Sequence, residues 1–193
     1  MDDATARGQV VAAADRLFYA HGVHAVGMDA VRSEARVSLK RIYGLFPSKD
    51  DLVVAVLHGR TQRWTTGLEA VASAATTPRE RLLAVFDFLD AWFREDDFRG
   101  CAFINSFGEL GATSPAVAEA VRVQKATFQE YVLGLVREDE LPDAVAAQLA
   151  ILAEGAQTTA AISGDPSAAA QAREAASVLV DAALARREHE PVA

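Results

Sequence analysis

The chain has 193 residues, 51% of them hydrophobic and 24% charged, with a formal net charge of −8. That composition fits a soluble globular protein, with enough chain to bury a sizeable core in one or two domains. The single cysteine excludes an internal disulfide, and the longest strongly apolar run, residues 144–153, is too short to cross a bilayer, so a cytoplasmic protein is expected.

The opening stretch MDDATARGQV carries acid where a secretion signal carries base, which fits that expectation. Residues 4–21 follow as a first helix, with Val10, Ala14, Leu17 and Phe18 at helical spacing. His21 and His24 flank Gly22 in the turn behind it. Two histidines three apart with no Cys or Glu partner nearby in sequence do not make a metal site, and no metal is expected.

A short helix over residues 28–35 turns Met28, Val31 and Ala35 inward, and a bend at Arg36 and Val37 leads to Ser38. Ser38 can cap a second short helix over residues 39–45, its hydroxyl accepting from the backbone one turn on. Ile42 and Phe46 then face inward with Val37, while Leu39, Lys40, Tyr43 and Gly44 point out and Arg41 sits on the flank. Pro47 ends this helix. Ser48 and Asp51 form a capping box for the next, and leave Lys49 beside its positive end, a position that suits a phosphate.

Two short helices about a tight turn, the second presenting Lys, Arg and Tyr, is the plan of a helix-turn-helix reader of DNA. The charge agrees: residues 32–49 hold five Lys and Arg against Glu34 alone, a local +4, so the rest of the chain carries −12. A positive island in an acidic protein marks where a polyanion docks.

Residues 9–57 resemble the N-terminal domain of tetracycline-repressor-type (TetR) transcriptional regulators. The positions that carry the likeness are Ala14, Leu17, Phe18, Gly22, Val31, Ala35, Val37, Ser38, Ile42, Tyr43, Phe46, Lys49 and Leu52. Three places depart from the usual pattern. Gly27 stands where a Ser or Thr caps the second helix, Arg36 replaces the turn glycine, and Gly44 and Leu45 replace larger residues that often touch DNA. The resemblance implies a homodimer bound to double-stranded operator DNA, with Ser38, Leu39, Lys40, Arg41, Tyr43, Gly44 and Lys49 at the interface. It further implies an all-α architecture, a three-helix DNA-binding domain (1–47), a connecting helix and linker (48–77), and a helical ligand-binding and dimerisation domain (78–193). No cofactor is implied.

From Lys49 a long helix is expected to reach about residue 74, shared between the reader and the C-terminal half of the chain. Thr77, Pro78 and Glu80 form a second capping box, opening a helix over residues 78–94 with Leu82, Val85, Phe86, Leu89 and Phe93 on one face. The acidic break EDDFRG precedes GCAFINSFGEL, and a helix from Pro115 runs to about residue 139. Polar Asn105, Ser106, Gln124, Thr127 and Tyr131 among aromatics are the mixture a mostly apolar small-molecule pocket needs. The ligand candidates are Trp64, Phe86, Trp92, Phe103, Asn105, Phe107, Phe128 and Tyr131. Cys101, beside Arg99 at a helix start, is a candidate for thiol-based sensing of oxidants or electrophiles, against the alternative of a buried small hydrophobe.

Pro142 and Pro166 start two alanine-rich helices, to about residues 163 and 187. Leu149, Leu152, Ala156, Ala175 and Leu179 are the dimerisation candidates, since small and apolar residues let two copies of a helix pair meet as a four-helix bundle. Residues 188–193 read as a frayed end. No Gly-rich phosphate loop or nucleophile motif occurs, so an enzyme is not expected. The remaining alternative is a ligand-binding module without DNA binding. A one-component regulator, most simply a repressor released by a small apolar or amphipathic ligand, is the reading the sequence supports best.

Overall fold

The structure is a computed structural model that describes residues 2–189, with side chains through residue 187. Among these the chain forms nine helices and no strand: α1 (Asp3–His21), α2 (Met28–Ala35), α3 (Leu39–Leu45), α4 (Lys49–Ser73), α5 (Pro78–Phe93), α6 (Ala102–Leu110), α7 (Pro115–Glu138), α8 (Asp143–Ser163) and α9 (Ser167–His189). None of the helices in this range is long and apolar enough to cross a membrane.

Contacts group the described residues into two compact units, one of residues 2–63 with 101–124, the other of residues 64–100 with 125–189. The sequence reading divides the chain at 47 and 77, whereas the contacts place α6 and the first turns of α7 with the reader helices. Nothing local in the α6 sequence announces this, because helices are assigned to units by partners distant in sequence.

In the first unit α1, α2 and α3 pack on one another. Val10, Ala14, Phe18, Val31, Ile42, Phe46 and Leu52 form its buried interior. Burying such side chains supplies about 1.5–3 kcal/mol each, and this offsets the ordering of α2 and α3, which are too short to persist alone. Asp15 on α1 ties α4 to this base, accepting from Arg60 and, at 2.6 Å, from Arg63.

The second unit packs α5, α8 and α9 together. Leu82, Phe86, Leu89, Val132, Val136, Leu149, Ala153, Ala156 and Val180 are among its core residues. The capping box at Thr77 and Glu80 forms as its sequence predicts, with Pro78 at the head of α5. Arg79 clasps Asp181 across α5 and α9 at 2.5 and 2.9 Å, and Arg173 pairs with Asp87 at 2.6 Å.

Arg36 closes α2 in the left-handed region, at φ 54 and ψ 37. The turn is therefore built on the usual backbone, with an arginine where glycine would be unstrained. Arg36→Gly is expected to raise stability by about 0.5–1 kcal/mol, the relieved strain outweighing the looser unfolded chain. Chemical denaturation checks this.

Candidate nucleic-acid interface and its supports

α3 is fixed at both ends before its outer face is considered. At the start, the Ser38 hydroxyl accepts from the Arg41 N–H at 3.4 Å. At the finish, the Arg7 guanidinium donates to the Leu45 carbonyl at 3.1 Å and lies 4.3 Å from the centroid of the Phe46 ring. A cation at the C-terminal end of a helix meets both its orphan carbonyls and its dipole. Nothing in the sequence marks Arg7 for this role, because its partner lies 38 residues away.

The outer face carries exposed Ser38, Lys40, Tyr43 and Gly44, with Leu39 and Arg41 half-buried. Tyr43 is 46% exposed, unusually open for an aromatic residue. Asp3 accepts from Arg41 at 2.9 Å, which holds that guanidinium along the flank. A Cβ built on Gly44 would meet nothing within 4 Å, so the glycine leaves a gap on this face rather than serving an internal close approach.

Lys49 is placed otherwise than its position at a helix start suggests. Its Nζ donates to the Val23 carbonyl at 2.5 Å and lies 5.7 Å from the Phe18 ring centroid. Burial pushes the ammonium below the usual lysine range, opposed by Glu109 and Asp50. A phosphate role does not fit this geometry, because the side chain folds back under its own unit and its charge is spent on a carbonyl.

That carbonyl belongs to the α1–α2 turn, which is gripped from a second side. The Glu109 carboxylate on α6 accepts from the Val23 N–H at 3.0 Å and from the His24 N–H at 2.7 Å. The ring Nε2 of His24 lies 3.0 Å from the Glu109 carbonyl, which can only accept, so that nitrogen carries the proton. Gly22 makes the approach possible: it sits at φ 83, and a Cβ there would meet Glu109 Oε1 at 3.2 Å. His24 is thus a structural group, its ring and its amide both tied to Glu109.

The eight ligand candidates fall into separate places. Trp64 stands edge-on to Phe88 and Phe128, at 5.5 and 5.0 Å between ring centroids, with Tyr131 half-buried against the same core. Burial raises the Tyr131 phenol above its ordinary range, which keeps it neutral. Phe86 is sealed in the core of that unit, and Trp92 joins Phe93 and Phe98 in another aromatic group. Phe103, Asn105 and Phe107 lie on α6 in the first unit, Phe103 buried and the other two exposed. Gln124, also in the first unit, is buried with its Oε1 lacking any hydrogen-bond partner. Cys101 is 6% exposed at the head of α6.

Of the dimerisation candidates, Leu149 and Ala156 are buried in the core of their own unit, so they offer nothing to a second chain. Leu152 and Leu179 are half-buried and Ala175 is exposed. On these two helices the large apolar side chains left exposed are instead Ile151 and Ile162 on α8, at 71% and 82% exposure, and Val178 on α9, at 66%.

Residues 10–56 match the family model described as bacterial regulatory proteins, tetR family, and residues 78–176 that of the tetracyclin repressor-like C-terminal domain. The chain is 34% identical over 134 residues to the HTH-type transcriptional activator FasR of Mycolicibacterium smegmatis, a match covering 69% of this chain and 59% of that relative. Among solved structures it is similar to a TetR-family transcriptional regulator from Streptomyces coelicolor, with a TM-score of 0.85 and 27% identity over 94% of this chain and 97% of that one. A TetR-type regulator from Streptomyces avermitilis gives 0.81 and 29%, over 92% and 97%.

The geometry separates internal supports from the exposed face of α3 on one small unit. Lys49→Ala is expected to lower folding stability by about 1–2 kcal/mol, through the loss of a charged hydrogen bond and of packing on Phe18, whereas Lys40→Ala should stay within about 0.5 kcal/mol of wild type. Urea titrations of the two variants make the comparison.

Proposed function

Because the chain belongs to the TetR family of DNA-binding transcriptional regulators, transcription factors rather than enzymes, we propose that it acts in the cytoplasm as a homodimeric repressor. It binds a palindromic operator and is released by a small apolar or amphipathic ligand. The observation that carries the reading is the capped α3, with Lys40 and Tyr43 outermost and Leu39 half-buried beside them on a face that its own unit leaves open.

Lys40 and Arg41 are the groups with the reach and charge to read base edges, and Leu39 suits a thymine methyl. Ser38 and Tyr43 would hold phosphates and set the register, and Gly44 lets the duplex backbone come close. In the second unit, the edge-to-face set of Trp64, Phe88 and Phe128 with the neutral Tyr131 hydroxyl supports an apolar or amphipathic ligand. Such a ligand would act by favouring a reader placement that does not fit successive major grooves, and α4, which belongs to both units, is the element to carry the change. Burial of Cys101 favours this ligand mechanism over thiol sensing.

Similarity to a protein named as an activator supports a second reading, in which the same reader recruits rather than occludes. Deleting the protein from a reporter strain separates the two: expression rises for a repressor and falls for an activator.

For self-association, Ile151, Ile162 and Val178 replace Leu149 and Ala156 as the residues that would meet a second copy, with Ala175, Leu152 and Leu179 beside them. Gly155 supports this, since a Cβ there would meet nothing within 4 Å and two such helices could approach closely.

Selection of the purified chain on random duplex DNA is expected to enrich a palindrome with half-sites about 34 Å apart. Lys40→Ala should relax one position by about 1–3 kcal/mol, and Lys49→Ala should leave the salt dependence of binding unchanged. No enrichment at any salt would overturn the reading. Ile151→Glu with Val178→Glu should give a monomer in sedimentation and weaken operator binding by at least about tenfold, the loss of one linked half-site.

A further inference from the structure

The first unit contains a half-open cavity of about 150 Å³ between α1, α4 and α6, directly behind the α1–α2 turn. Part of its wall is apolar, made by Phe18, Val53, Val56 and Leu57, all buried, and the rest is polar or charged. Ser106, only 7% exposed, and Asn105 line it from α6, and Tyr19 from α1.

The charged groups around this space have their own partners. Asp15 is held by Arg60 and Arg63, the Arg60 guanidinium lies 3.9 Å from the Tyr19 ring centroid, and Glu109 serves the Val23 and His24 amides. An ionic ligand would have to break one of these pairs or leave its own charge without a partner in a partly dry space, which costs several kcal/mol. Asp15 and Glu109 against Arg60 leave the lining with a net negative charge, which disfavours an anion in particular. A neutral ligand meets no such cost. A space of this volume is the size that takes a benzene ring, and a hydroxyl on that ring would meet the Ser106 hydroxyl.

We propose that this cavity is a second small-molecule site, for a neutral monocyclic aromatic of the phenol class. It is distinct from the Trp64–Phe88–Phe128 set, which belongs to the other unit. Gly22, Val23 and Glu109 form part of its lining and also hold the turn that carries α2, so occupancy and the placement of the reader are linked.

Fluorine NMR titration of the full chain with 4-fluorophenol tests the site, with 4-fluorobenzoate as the anionic comparison. Ser106→Leu fills the space from within, and Asn105→Trp obstructs it from an exposed position that tolerates a large side chain, so folding survives in at least one. Phe88→Leu alters the aromatic set of the other unit. The expected result is saturable binding of the phenol and none of the benzoate. Kd should rise by at least about tenfold in the two cavity variants and stay unchanged in Phe88→Leu. Absence of saturable phenol binding to wild type, equal binding of the benzoate, survival of binding in a folded cavity variant, or its loss in Phe88→Leu would overturn the proposal.

Discussion

The placement of α3 depends on the grip of two side chains on one turn. Two successive amides, of Val23 and His24, point at a single carboxylate, and the carbonyl of Val23 receives the ammonium of Lys49. Such a turn would otherwise hold its polar groups in water and move with the ease of any short loop. Here Glu109 fixes it from α6 and Lys49 fixes it from α4, with the opposite charges of the two side chains close enough to support each other. α2 leaves from this turn, α3 from α2, and so the outer face of α3 inherits its position. The glycine at the start is the condition for it all, since a side chain at Gly22 would press on Glu109 and would have to adopt φ 83.

How much could be read from the sequence depends on the range of the interactions involved. Ser38 capping α3, the Ser48–Asp51 box and the Thr77–Glu80 box act within three residues, and each forms as its spacing predicts. The inward set Val31, Val37, Ile42 and Phe46 is equally local, because a 3.6-residue period fixes which side chains share a face. Glu109 was invisible for the opposite reason: it meets Val23 across 86 residues, and a lone glutamate on a short helix carries no mark of its partner. Lys49 misleads because a helix start offers two uses for a lysine, outward to an anion or backward to a carbonyl, and the sequence is the same for both.

The alanine-rich helices α8 and α9 show a different limit. The helical period through Val145, Leu149, Ala156 and Ala160 marks the buried stripe of α8 and leaves Ile151 off it at 71% exposure, but the period does not say whether a stripe meets its own chain or a second copy. The aromatic residues divide likewise. Trp64 and Phe128, 64 positions apart, meet edge to face, while Phe103 and Phe107, set among similar residues, belong to the other unit. Composition announces that aromatic clusters exist, and only the packing of helices says which residues share one.

The central claim is that the Glu109 carboxylate holds the turn that places α3. Glu109→Gln keeps the shape but leaves one acceptor oxygen for two amides and no charge for Lys49. Amide hydrogen exchange at Val23 and His24, measured together with operator affinity in this variant, tests the claim most directly. The account predicts that both amides exchange at least about tenfold faster and that operator binding weakens by about tenfold, with α3 still helical. Exchange at the wild-type rate, or faster exchange with operator affinity unchanged, would contradict it.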